Sequence, residues 1–83
     1  MRIIKFYKNG CAPCNSVATY LSTKGIVDVE NVNIFDDPDT AFDFNIMSVP
    51  VTVLMSDDNN ELARVSGFNQ SQLDSLIDTY KQG

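Results

Sequence analysis

The feature that most constrains the fold is the pair Cys11-Ala12-Pro13-Cys14, which holds the chain's only two cysteines and sits between runs of different periodicity. Upstream, Arg2-Ile3-Ile4-Lys5-Phe6-Tyr7 is short and rich in β-branched and aromatic residues, the pattern of a strand, and Asn9-Gly10 is a turn signal that ends it. Downstream, Cys14, Val17, Ala18 and Leu21 recur at i, i+3, i+4 and i+7, one face of a helix. Pro13 suits the first turn of that helix, where its missing N–H removes nothing, and Gly25 after Lys24 suits its C-terminal cap. The cysteine pair is therefore expected at a strand-to-helix junction.

The rest of the chain extends this unit. Residues 26–35 alternate roughly and predict a second strand, which after a strand and a helix favours a right-handed parallel βαβ unit. Asp37-Pro38 opens a helix expected to run to about Asn45, with Ala41, Phe42 and Phe44 supplying apolar contacts; Met47, Phe42 and Phe44 are all expected in the core. Val51-Thr52-Val53-Leu54-Met55 and Glu61-Leu62-Ala63-Arg64-Val65 flank a turn cluster and predict an antiparallel hairpin. Leu73, Leu76, Ile77 and Tyr80 repeat the helical spacing, with Asn69 or Ser71 as cap. The order β-α-β-α-β-β-α implies an α/β fold, a four-stranded mixed sheet with helices on both faces. At 83 residues, with no linker or repeat, residues 1–83 are expected to form a single domain.

Charge narrows the function. The net charge is −5, which argues against a general electrostatic grip on nucleic acid. Residues 1–27 carry Arg2, Lys5, Lys8 and Lys24 and no acid, whereas residues 28–83 carry Arg64 and Lys81 against eleven acids. The cysteine motif thus lies in the cationic part of an acidic chain. No apolar run is long enough to span a membrane, and Met-Arg-Ile-Ile-Lys lacks a signal peptide's apolar stretch, so a cytoplasmic protein is expected.

With no histidine and two cysteines, the chain does not build a four-ligand zinc site from Cys and His by itself, and no metal site is expected. A structural disulfide is a weak alternative, since closing so short a loop removes only about 2 kcal/mol of unfolded-chain entropy. In a cytosolic βαβ setting, C-x-x-C reads as a redox motif. The thiolate is the attacking species, so the two roles separate on pKa. Cys11, at the mouth of the helix, has unpaired N–H groups and the helix dipole to stabilise an anion, and Lys8 adds a nearby cation. Cys14 lies a turn further in, on the apolar stripe, where burial disfavours charge. The expectation is an exposed nucleophile at Cys11 and a resolving thiol at Cys14.

The chain resembles the thioredoxin-fold superfamily over essentially its whole length, and is most similar to glutaredoxins and the small NrdH-type redoxins. Three patches carry the resemblance: Tyr7-Lys8-Asn9-Gly10-Cys11-Ala12-Pro13-Cys14, Ser48-Val49-Pro50-Val51-Thr52 and Ser66-Gly67-Phe68. It implies a thioredoxin-like fold, a redox-active Cys11–Cys14 disulfide, a cis Pro50 beside the cysteines, and a substrate groove formed by Val49, Pro50, Gly67 and Phe68. The Val49 backbone would pair with a bound substrate strand. Departures from the pattern also inform. Thioredoxins keep a buried acid six residues before the first cysteine, where this chain has Lys5, so water or another group must take the buried thiol's proton. Glutaredoxins hold glutathione with Gly-Gly followed closely by Asp, where this chain has Ser66-Gly67-Phe68-Asn69-Gln70.

These readings together imply a dithiol–disulfide oxidoreductase that binds no cofactor and reduces protein disulfides as a monomer, and the resemblance to NrdH-type redoxins implies ribonucleotide reductase as the client. Its electrons would come from NADPH through thioredoxin reductase, with a potential of roughly −200 to −270 mV. The alternatives are a glutathione-dependent glutaredoxin and a thioredoxin-fold binding module whose cysteines are incidental.

Overall fold

The computed structural model describes residues 1–83. Seven elements follow in the expected order: β1 (Arg2–Tyr7), α1 (Ala12–Thr23), β2 (Val29–Asn33), α2 (Pro38–Asp43), β3 (Val51–Met55), β4 (Glu61–Ser66) and α3 (Gln70–Gln82). The sheet runs β2-β1-β3-β4, with β2 parallel to β1 and the other neighbours antiparallel, so it is mixed as expected.

Alternation along β1 sorts the core onto the two faces of the sheet. Ile3 packs with Val17 and Leu21 of α1, Leu54 of β3, and Leu73, Leu76 and Ile77 of α3. Ile4 and Phe6 face the other way, with Val51, Val53 and Met55, and take Phe44 and Ile46 from the α2 region. Phe6 is fully buried and its ring lies 5.3 Å from that of Phe44. α1 and α3 therefore cover one face and α2 the other.

Helix ends explain where the sequence expectation and the structure part. The second strand is shorter than residues 26–35. Gly25, at φ +78°, ends α1 by donating its N–H to the Ser22 carbonyl, and Ile26 donates to Leu21. This paired closure satisfies two otherwise orphaned carbonyls and commits Ile26 to the helix end. At the far end the Asn33 side chain accepts from the Phe35 N–H, and its carbonyl from Asp36 and Asp37, turning the chain out of the strand. α2 ends the same way at Asn45 (φ +56°), with Asn45 donating to Phe42 and Ile46 to Ala41.

So short a helix has one inner face. Ala41 is buried and Phe44 packs on Phe6, but Phe42 is 81% exposed and Met47, beyond the helix, 96%. The expectation that Phe42 and Met47 are core residues is thus incorrect.

Two stability experiments follow. In urea unfolding, Phe6→Ala should lose about 3–5 kcal/mol, the usual cost of emptying a buried aromatic site, while Phe42→Ser should stay within about 0.5 kcal/mol of the parent. Asp37 caps α2 through Thr40, whose hydroxyl and N–H both donate to it, and these bonds hold its carboxyl below the ordinary 3.8. A depressed carboxyl stabilises the fold above its unfolded pKa and loses that effect as pH falls through the folded value. Asp37→Ala should therefore be less stable than the parent at neutral pH, and the gap should narrow on acidification below the ordinary 3.8.

Candidate redox site

Strand direction brings the three sequence patches to one end of the sheet. Phe6 pairs with Val51, and Val51 with Ser66, so the C-terminal end of β1, the N-terminal end of β3 and the C-terminal end of β4 lie side by side. The loops carrying Cys11, Pro50 and Gly67 leave from that row. Gly67 donates its N–H to the Pro50 carbonyl at 2.8 Å, tying two of the loops together. Gly67 has φ +75°, a conformation that costs a residue with a Cβ. The Val49–Pro50 peptide bond is cis, as the resemblance implies.

Cys11 is the N-cap of α1, in extended conformation, with Ala12 and Pro13 opening the helix. Its carbonyl accepts from Asn15, and its Sγ accepts from the Cys14 N–H at 3.2 Å. A sulfur in this place takes over the capping role that a serine or aspartate oxygen plays elsewhere. Cys11 and Cys14 form a disulfide, with Cα atoms 5.2 Å apart. Cys14 shares the buried stripe of α1 with Val17 and Leu21.

Cys11 does not fit the expectation of an exposed residue. It is 6% exposed against 3% for Cys14, because in the oxidised state its sulfur is folded back onto the helix mouth and bonded to Cys14. Position in the helix and access to an N–H donor distinguish the two cysteines; surface area does not.

The other expected residues fall as follows. Lys8 is exposed and makes no ion pair or hydrogen bond. Pro50 is fully buried and Val49 partly so, its side chain packed on the Phe6 side of the sheet. Neither peptide group of Val49 is hydrogen-bonded within the protein, which leaves them open like the edge of a sheet. Phe68 is 40% exposed and stands edge-on to Tyr20, their ring centres 5.8 Å apart, so it is a lip on the surface with one side packed.

Tyr20 was not singled out by the sequence and organises that lip. Its hydroxyl donates to Asp74 of α3, which, with burial, raises its pKa, and Lys24 lies 5.3 Å from its ring centre. With Asn15, Ser16, Thr19, Thr23 and Phe68 it lines a shallow groove along α1. The helical spacing of Ser16, Thr19, Tyr20 and Thr23 was visible in the sequence, but nothing there tied it to Phe68. No helix is long and apolar enough to cross a membrane.

The chain is similar to known proteins. The family model for thioredoxin matches residues 1–79. The SPbeta prophage-derived thioredoxin-like protein YosR of Bacillus subtilis is 40% identical over 77 residues, covering 93% of this chain and 95% of YosR. Thioredoxin of Pseudomonas aeruginosa is 26% identical over 81 residues, covering 92% of this chain and 75% of that protein. Among solved structures, thioredoxin 1 of Thermosipho africanus superposes with a TM-score of 0.81 at 20% identity, covering 99% of this chain and 96% of its own, a likeness of fold. With a matching family model over nearly the whole chain and a disulfide at the mouth of α1, this chain belongs to the thioredoxin family and is a thiol–disulfide oxidoreductase.

Proposed function

We propose that the protein is an electron carrier in which the Cys11 thiolate attacks a protein disulfide and Cys14 resolves the mixed disulfide. The observation that carries this division is the hydrogen bond from the Cys14 N–H to Cys11 Sγ. A sulfur that already accepts an N–H at a helix N-terminus is the one whose thiolate costs least. Attack joins Cys11 Sγ to one sulfur of the client and expels the other as a thiolate. Cys14 then attacks Cys11 Sγ, the bond to the client breaks, and the client leaves reduced while the Cys11–Cys14 disulfide closes.

Val49, Pro50, Gly67 and Phe68 form the groove for the client strand in this reading. The unpaired peptide groups of Val49 support it, since an extended segment adds to a free edge through main-chain hydrogen bonds. Lys8 adds a screened positive field at the approach to the sulfur.

Thioredoxin reductase, drawing on NADPH, is the recharging partner. Support comes from the residues after Gly67. Asn69, near the place where glutaredoxins use an acid for glutathione's amino group, has its side-chain oxygen engaged by the Gln72 N–H as the cap of α3. Gln70 beside it carries no charge. The protein acts as a cytoplasmic monomer of one domain, with no bound cofactor. Ribonucleotide reductase is the proposed client, on the resemblance to NrdH-type redoxins.

A recycling assay on insulin disulfides tests the reading. NADPH with thioredoxin reductase should sustain turnover, and NADPH with glutathione and glutathione reductase should not. Cys14→Ser should retain the mixed disulfide and lose turnover by a factor on the order of 100 or more, because an external thiol must replace an intramolecular one. Turnover with glutathione alone would identify a glutaredoxin. Absence of turnover with either system, alongside intact partner binding by a Cys11→Ser, Cys14→Ser variant, would identify a binding module.

A further inference from the structure

One buried polar group lies outside the chemistry described so far. Thr52 is 0% exposed, and its hydroxyl has no hydrogen-bond partner. It stands directly opposite Lys5 in the β1–β3 ladder, on the sheet face that α1 and α3 cover. Lys5 is partly buried, and desolvation pushes its pKa below the ordinary 10.5. Its ammonium lies 5.6 Å from the centre of the Tyr7 ring, so the side chain reaches along β1 towards the end that carries the disulfide. Lys5 enters none of the ion pairs, which join the N-terminus to Asp57, Arg2 to Glu30, Lys24 to Asp74 and Arg64 to Glu61.

The directions of α1 and β1 bring Cys14 towards the level of this pair. α1 runs back along β1: Leu21 and Val17 pack with Ile3, and Cys14 is one turn nearer the end where Tyr7 lies. Two residues along β1 from Ile3, in the same direction, is Lys5. The buried thiol, the partly desolvated ammonium and the orphaned hydroxyl thus occupy one level of the molecule.

The charged and titratable groups around that level are few. β1 and its loop add Tyr7 and Lys8, while the α1 helix between Cys14 and Lys24 holds no acid or base apart from the Tyr20 phenol. α3 offers Asp74, engaged by Tyr20 and Lys24. β2 offers the neutral Asn31 opposite Lys5, while its Glu30 pairs with Arg2. Asp36 and Asp37 follow β2 at the disulfide end, where Asp37 is tied to Thr40.

We propose that Lys5, seated beside Thr52, is a positioning residue that stabilises the thiolate of Cys14 in the resolving step. The inference rests on the reading of Cys14 as the resolving thiol. In that step the Cys14 thiol gives its proton to solvent water, and the thiolate attacks Cys11 Sγ. The Cys11–Cys14 bond forms, the Cys11–client bond breaks, and the client sulfur leaves as a thiolate that solvent protonates. Lys5 stays an ammonium throughout. Burial disfavours the ammonium and the thiolate singly, and their attraction offsets that penalty when both are charged. The Thr52 hydroxyl is an unfilled acceptor opposite Lys5, open to the ammonium when it turns from the Tyr7 ring towards Cys14.

The test reads Cys14 ionisation directly. In a Cys11→Ser background, the thiolate's ultraviolet absorbance is followed against pH, with the Cys11→Ser, Cys14→Ser double variant subtracted. Adding Lys5→Met should raise the midpoint by about one pH unit, equivalent to about tenfold less thiolate on the acid side of the midpoint. Lys5→Arg should restore the original midpoint, which a purely structural role would not require. Thr52→Val should move it the same way by a smaller amount. A midpoint that Lys5→Met leaves in place or lowers overturns the proposal. This titration does not depend on which cysteine resolves, whereas the mixed disulfide of Cys14→Ser does, so the two readings fail separately.

Discussion

The pairing of Phe6 with Val51 and of Val51 with Ser66 is the constraint on which the site depends. Antiparallel neighbours bring opposite chain ends together, so this register puts the exit of β1, the entry of β3 and the exit of β4 in one row. A slip of one residue in either pair would turn Phe6 or Val51 out of the core while moving a loop away from the cysteines. Packing and function are therefore fixed together. The bond from the Gly67 N–H to the Pro50 carbonyl continues the same ladder one step past the strands, into the loops themselves.

The same end of the sheet receives the mouth of α1, and the local chemistry of helix termini completes the site. A helix needs acceptors for its first N–H groups, and here the acceptor is the sulfur of Cys11. The other end of α1 is closed by Gly25 and Ile26, whose backbone bonds direct the chain back under the helix so that β2 pairs parallel to β1. α2 is closed by the same device at Asn45, and there Arg64 of β4 also donates to the Phe44 carbonyl while holding Glu61. Both closures keep apolar residues, Ile26 and Ile46, packed against the two faces of the sheet.

Periodicity made much of this legible in the sequence. α3 repeats cleanly because it buries one face against a single layer, while β1 and β3, packed on both faces, show as short runs of β-branched and aromatic residues. The apolar pattern overextends the second strand, since Ile26 and Phe35 continue it although one belongs to a helix end and the other is 75% exposed. Phe42 and Met47 misled in the same way: an apolar side chain carries no mark of which side of a six-residue helix it occupies. At the site, the cysteines, Pro50 and Gly67 were readable as a motif. The burial of Cys11 was not, because it follows from the disulfide and from a backbone bond. The pairing of Lys5 with Thr52 needed the register of two strands separated by more than half the chain.

What remains is how a site in a chain with no histidine controls two thiols. The N–H at the helix mouth and burial are its visible means, and the proposed roles of Lys5 and Lys8 would add cations. The N–H and the cations favour thiolates and burial opposes them, so reactivity is set by their difference. Stabilising the reduced form speeds attack but also makes the disulfide a stronger oxidant, as low-pKa dithiols show. A carrier that donates electrons therefore gains from modest stabilisation. The segment between the cysteines is consistent with that limit: Ala12 and Pro13 bring no charge, and Pro13 brings no N–H to a helix mouth that would otherwise offer another donor. The acids of β2 and α2 are spent on other partners or on the opposite face, with Glu30 on Arg2 and Asp37 on Thr40. The division of charge along the sequence, cations before residue 28 and most acids after it, places the cysteine motif in the segment that carries no acid of its own.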